Sequence, residues 1–173
     1  MTLVVVDVES DGPVPVMRSL VCFGAVIVEP ALDRTFYGKT KPLSDQWDPE
    51  ALAISGFSRE EHLTFSDPKE TFGRFNDWIK EQFGSKDRPV FISDNPCYDW
   101  QWINYYFHRY VGRNPFGFSG RRIGDIYAGY HKNLKKPWKH LRQTIHDHDP
   151  VNDAKGNAEV LLHLAAEGIE GII

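Results

Sequence analysis

This chain of 173 residues has little material for covalent cross-links or for a membrane. Its two cysteines, Cys22 and Cys97, lie far apart in apolar surroundings. Neither has a CxxC partner, so no zinc site is expected. Both read as buried free thiols of a reducing compartment. No apolar run approaches the roughly 20 residues that span a bilayer, so no membrane partner is expected. The N-terminus has no basic leader and no cleavage site; a signal peptide is not expected, and a cytoplasmic location is. Internal repeats, low-complexity segments and linkers are also missing. That leaves one domain over residues 1–173, long enough for a sizeable core.

Net positive charge is missing too. The formal net charge is −4, which argues against a protein that coats nucleic acid without specificity. The charge is unevenly spread, however. Between Arg109 and Arg142 there are nine Lys or Arg against one acid, Asp125. Such a stretch is either a solvated helical face or a surface that guides a polyanion to one place.

What is present is organised around the first strand, Leu3 to Glu9. Its apolar run reads as a strand buried on both faces. Side chains alternate along a strand, so Asp7 and Glu9 point the same way, about 7 Å apart. Two acids at a buried strand end are costly unless something positive lies between them. A divalent cation with a preference for oxygen would meet that need; a plain loop-capping role for either acid is the alternative.

Further along, Leu20–Val28 and Arg34–Thr40 read as a hairpin closed at Leu32-Asp33. Two short helices broken at Gly56 are expected over residues 49–63, with Pro49 at the first helical position. Asp67-Pro68 opens a helix whose Phe72, Phe75, Ile79 and Phe83 recur at helical spacing, ended by Gly84. Arg88–Ser93 reads as a fourth strand. A helix over residues 97–110 places Asp99, Ile103 and Phe107 on one core-facing stripe. Residues 121–126 read as a last strand, with Asp125 capping a helix to about Tyr130. A short helix is expected from Trp138 to Ile145, and a final one from Pro150 to Ala166. Alternating strands and helices of this kind imply one α/β domain.

The segment His146-Asp147-His148-Asp149-Pro150-Val151-Asn152-Asp153 carries the third set of polar groups. With Asp149 as N-cap and Pro150 next, His148 is the residue before the cap and Asp153 the fourth helical one. Side chains at those two places are neighbours. A carboxylate is thereby set beside an imidazole that could take a proton from water on a metal. His146 has no such acid at the same spacing.

The order D-x-E at Asp7 and Glu9, then Asn95, Tyr98 and Asp99, then His148, Asp153 and Ala154, resembles the DnaQ-like 3′–5′ exonucleases of the DEDDh class. Ala53 to Gly56 is similar to that family's Ile-His-Gly segment, with Ser55 where histidine is frequent. Residues 100–107, 112–117 and 119–122 look most like the bacterial and phage exoribonucleases related to ribonuclease T and ribonuclease AS. The resemblance implies a ribonuclease H-like α/β fold, a mixed five-stranded sheet with helices on both faces. It implies two Mg²⁺ or Mn²⁺ ions, about 3.5–4 Å apart as in other two-metal nucleases. Asp7 would bridge them, Glu9 and Asp153 would complete one, Asp99 would hold the other, and His148 would be the base. Ser10, Asp11, Gly12 and Tyr98 would meet the terminal nucleotide. Arg121, Arg122, Lys139 and Arg142 are candidates for phosphate contacts. The implied partner is the 3′ end of single-stranded RNA, with single-stranded DNA as the alternative. The aromatics from Trp100 to Trp138 read mostly as core or interface rather than as base platforms; ribonuclease T-like relatives are homodimers, so their excess would partly cover a dimer face. A catalytically silent nucleic-acid-binding module and a ribonuclease H-like endonuclease are the rival readings.

Overall fold

A computed structural model describes residues 2–84 and 87–173. Five strands form one sheet: β1 (Thr2–Ser10), β2 (Leu20–Ile27), β3 (Thr35–Lys39), β4 (Pro89–Ser93) and β5 (Gly120–Arg122), in the order β3-β2-β1-β4-β5. β1 and β2, and β2 and β3, run antiparallel; β4 is parallel to β1 and β5 to β4. The α/β fold with a mixed five-stranded sheet is therefore as expected, with β1 at the centre.

The helices are α1 (Pro49–Ile54), α2 (Arg59–Leu63), α3 (Pro68–Phe83), α4 (Pro96–Tyr110), α5 (Ile123–Tyr130) and α6 (Pro150–Ala166). Strand parity sorts the core into two layers. Val4, Val6 and Val8 pack with Phe72, Phe75, Ile103 and Phe107 of α3 and α4. Leu3 and Val5 pack with Tyr127 of α5 and with Ala154, Ala158 and Leu161 of α6. Asp7 and Glu9 continue the odd-numbered row, so they emerge on the α6 side of the sheet.

Three expectations are corrected. The last strand is only three residues long, and Asp125 does not cap α5. Arg122 is the N-cap residue, and Asp125 lies in the first turn, bonded to Arg122 at 3.3 Å. The expected helix from Trp138 to Ile145 is a single 3₁₀ turn, Lys139–Leu141. Its continuation is diverted because Glu159 of α6 accepts the backbone N–H groups of Gln143 and Thr144, at 2.5 and 2.9 Å. Cys22 is buried but Cys97 is exposed, since it sits in the first turn of α4 on the side away from Asp99. The aromatics between Trp100 and Trp138, read as core or interface, are mostly core. Trp102, Tyr106, Phe107, Phe116 and Trp138 are all buried within the chain itself, while Phe118 is exposed.

Candidate active site

Three elements bring the acids together. β1 supplies Asp7 and Glu9 at its C-terminal end. α6 supplies Asp153 in its first turn, where Asp149 accepts the N–H groups of Val151 and Asn152 at 2.9 and 3.2 Å and Pro150 begins the helix. The start of α6 lies directly on β2. Gly24 pairs with Asp7 in the sheet register, and a Cβ at Gly24 would lie 2.3 Å from the carbonyl oxygen of Pro150. Only a residue without a side chain lets the helix come this close. As a result Asp7, Glu9 and Asp153 each offer a carboxylate oxygen within 4.8 Å of the others.

Asp99 arrives from the other layer. β4 ends at Ser93, the chain turns at Asp94-Asn95, and Asp99 sits in the first turn of α4, 4% exposed. Burial pushes its carboxyl up to about 7, with the charges of Asp94 and Glu9 adding to the rise. Burial, followed by the charges of Asp99, Asp153 and Glu9, also holds Asp7 well above the usual carboxylate range. Glu9 is raised by burial, with His148 acting in the opposite sense. Asp7, Glu9 and Asp99 thus sit where ionisation is unfavourable without a counter-ion.

A divalent cation fits these donors. Oδ2 of Asp153 is buried and has no aligned hydrogen-bond donor among the described residues. His146 Nδ1 approaches it to 2.6 Å, but off the hydrogen-bond direction. An acid left in this state suits a hard cation with oxygen ligands.

The two imidazoles are placed differently from expectation. His148 Nδ1 lies 3.3 Å from Glu9 Oε1, whereas His146, which had no assigned acid, is the one against Asp153. His148 has a left-handed backbone, φ 63°, and its ring reaches Glu9 of β1. His146 folds back over Asp153, and the two rings lie 4.6 Å apart. One ligating atom from each of His146, His148 and Asp153 falls within a common 4.8 Å. The N′–N4 spacing identified the neighbourhood but not which ring touches which acid; the repeated His-Asp pairs at 146–149 were the only signal for His146.

The expected nucleotide-contacting turn is largely occupied by its own bonds. Ser10 and Asp11 are buried. The Asp11 carboxylate accepts the N–H of Ser19 and pairs with Arg59 of α2 at 3.2 Å. Its side chain therefore holds the turn in place and does not face a substrate. The hydroxyls of Ser10 and Tyr98 are bonded to each other, joining the end of β1 to the start of α4. Ser55 is buried and donates to Leu52 O at 2.6 Å, so it does not stand in for the histidine frequent at that place. Arg142 is half-buried against Asp94 and Asn157, at 3.4 and 2.5 Å. Lys139 pairs with Asp94 at 2.6 Å. Arg121 and Arg122 are exposed on β5. Asp94 and Asn157 were missed by sequence reasoning. Asn157 stands one helical turn after Asp153, a spacing that puts both on one face.

No family model matches the chain. It is 34% identical over 167 residues to the 3′-5′ DNA exonuclease Cap18 of Escherichia coli, covering 90% of this chain and 87% of that protein. Among solved structures, the nuclease domain of 3′hExo, a DEDDh family member described bound to rAMP, superposes with TM-score 0.78. It is 14% identical, over 98% of this chain and 94% of that one. E. coli Exonuclease I in complex with a dA16 oligonucleotide superposes with TM-score 0.73 at 16% identity, over 95% of this chain and 41% of that one.

Proposed function

Because the chain belongs to the DEDDh class of 3′–5′ exonucleases, we propose that it removes nucleoside 5′-monophosphates one at a time from the 3′ end of single-stranded DNA. The observation that carries this is the convergence of Asp7, Glu9 and Asp153 within 4.8 Å. The family depends on divalent metal, and these residues would hold one cation, with Asp99 holding a second. Two Mg²⁺ or Mn²⁺ ions would stabilise the charge that builds on the phosphate and on the departing 3′ oxygen.

The remaining roles fall to the chain's own groups. Glu9 at Nδ1 of His148 favours the ring tautomer with its proton on that nitrogen. Nε2 then accepts a proton from the attacking water. His148 is 45% exposed along its side chain, so water reaches it. Tyr98 forms a wall for the terminal sugar, braced through its bond to Ser10 by the turn that Asp11 and Arg59 hold. Residues 1–173 act as one exonuclease domain. A second copy as partner rests on likeness to ribonuclease T alone.

DNA is preferred here because the 34%-identical relative is named a DNA exonuclease. RNA is the second reading, favoured by the likeness of residues 112–122 to the ribonuclease T and ribonuclease AS group. A time course on a 5′-labelled DNA, the matching RNA and the same DNA with a 3′-phosphate tests all of this. The expected result is a descending ladder from DNA that stalls at the blocked end. Equal cutting of the blocked strand would remove the exonuclease reading. Faster cutting of RNA would keep the mechanism and change the substrate.

A further inference from the structure

A concave feature opens at the β5 edge of the sheet. It is a cleft of about 600 Å³ between β5, α5 and the segment after α5, lined by Arg122, Leu134, Lys135, Lys136, Trp138 and Lys139 among others. Its charge is one-sided: four cations against Asp125, whose carboxylate is already bonded to Arg122. Among the described residues, neither Lys135 nor Lys136 takes part in an ion pair. Leu134 is almost fully exposed beside them, so the rim is apolar as well as basic.

The cleft joins the catalytic end of the sheet by direct contacts. β5 is parallel to β4, with Arg122 in register with Ser93. Arg122 Nε donates to the carbonyl of Asp94 at 3.1 Å, and Lys139 Nζ lies 2.6 Å from the Asp94 carboxylate. Asp94 immediately precedes the N-cap of α4, the helix that carries Asp99. The cations thus begin at the edge of the acidic site and continue away from it. A single strand is held by cations along its backbone and by apolar surface against its bases, and both are present.

We infer that this cleft carries the strand upstream of the terminal nucleotide, with Lys135 and Lys136 on its phosphates. The inference rests on the exonuclease reading for its direction, and it adds the path by which a polymer is distinguished from a short fragment. The occupant is a polynucleotide and not a free nucleotide, because the positive charge leads away from the acids and no part of the reaction needs it.

The test is the double variant Lys135→Ala/Lys136→Ala, at two exposed loop positions. Binding of a fluorescent 20-mer DNA is measured by anisotropy in EDTA, and turnover is measured separately on the 20-mer and on a trinucleotide. The double variant is expected to bind the 20-mer roughly tenfold more weakly. The slope of log affinity against log salt should fall by about 1.4, two single-strand phosphate contacts at about 0.7 each. In turnover, the KM advantage of the 20-mer over the trinucleotide should shrink by a similar factor. A parent that cuts normally, with a variant of the same affinity and slope, would overturn the cleft and leave the exonuclease. A parent that binds through these lysines but does not cut would do the reverse. Equal loss on the trinucleotide would place the lysines in the terminal-nucleotide site instead and overturn the proposed path.

Discussion

Asp7 is the residue with most at stake. Its carboxyl is raised by burial first and by Asp99, Asp153 and Glu9 next. The folded state therefore favours the neutral form more than the unfolded chain does, where an aspartate titrates near about 3.9. The stability that its protonated form contributes is complete below that value and is lost as pH rises through the folded pKa. Asp7→Asn keeps the neutral shape at every pH. Without metal, the variant should match the parent near pH 4 and melt progressively higher than it toward pH 8, while losing turnover. A gap that stays flat with pH in thermal melts with EDTA would show that Asp7 carries no buried charge. The two histidines separate at the same scale. His148→Ala should lower turnover by roughly 10²–10⁴-fold, as for other general bases. His146→Ala removes a group that touches a proposed ligand, and such changes cost roughly 10–100-fold. Titrating Mn²⁺ in both variants distinguishes them: the His146 variant should recover in part, and the His148 variant should not. The opposite pattern would exchange their roles.

Among the elements, α6 is placed most exactingly. Its first turn rests on Gly24 with no space for a methyl group, and Asp153 reaches Asp7 only because of that seat. Gly24→Ala must displace either the helix start or β2, an overpacking that typically costs about 1–3 kcal/mol. A shift of the order of 1 Å at a catalytic group can cost about 10²-fold in rate. The variant should therefore remain folded, melt lower and turn over about 10²-fold more slowly. A normal kcat in a protein with a lowered Tm would show that the seat serves stability alone. The bounds of α6 and α4 were legible almost to the residue, since Asp149-Pro150 marks one start chemically and the turn residues Asp94-Asn95-Pro96 lie just before the other. The 3₁₀ turn at Lys139–Leu141 was not legible. Its form depends on Glu159, some twenty residues later, taking the amides that a helix would have used.

At the scale of the whole molecule, an acidic protein of net charge −4 gathers four carboxylates at one end of its sheet. Cation binding should be linked to folding, because a ligand at about 100 times its Kd adds about 2.7 kcal/mol to stability. For a chain of this length that corresponds to roughly 5–10 °C in Tm. Saturating Mg²⁺ or Mn²⁺ should produce a rise of that size at pH 8. The rise should be smaller at pH 5, where protons already neutralise Asp99 and compete with metal for the raised carboxyl of Asp7. EDTA should reverse it, and Asp7→Asn should abolish it. Calorimetry with no metal-dependent shift at either pH would separate the acidic cluster from cation binding.

The sequence by itself determined what is local. The apolar run of β1, the period-two placement of Asp7 and Glu9, the turn chemistry before Asp99, the helix-start chemistry before Asp153, and the buried stripe of α4 all follow from neighbours a few residues away. Tertiary structure alone decided three further matters. Asp11 became a strut, because Arg59 of α2 folds onto it. His146 rather than His148 came to rest on Asp153, while the ring of His148, on a left-handed backbone, reaches Glu9. The basic stretch from Arg109 to Arg142 was divided, with Arg142 half-buried beside Asp94 and Lys135 and Lys136 left on an open cleft. Each outcome depends on which distant group reaches a side chain first, and spacing along the chain does not contain that.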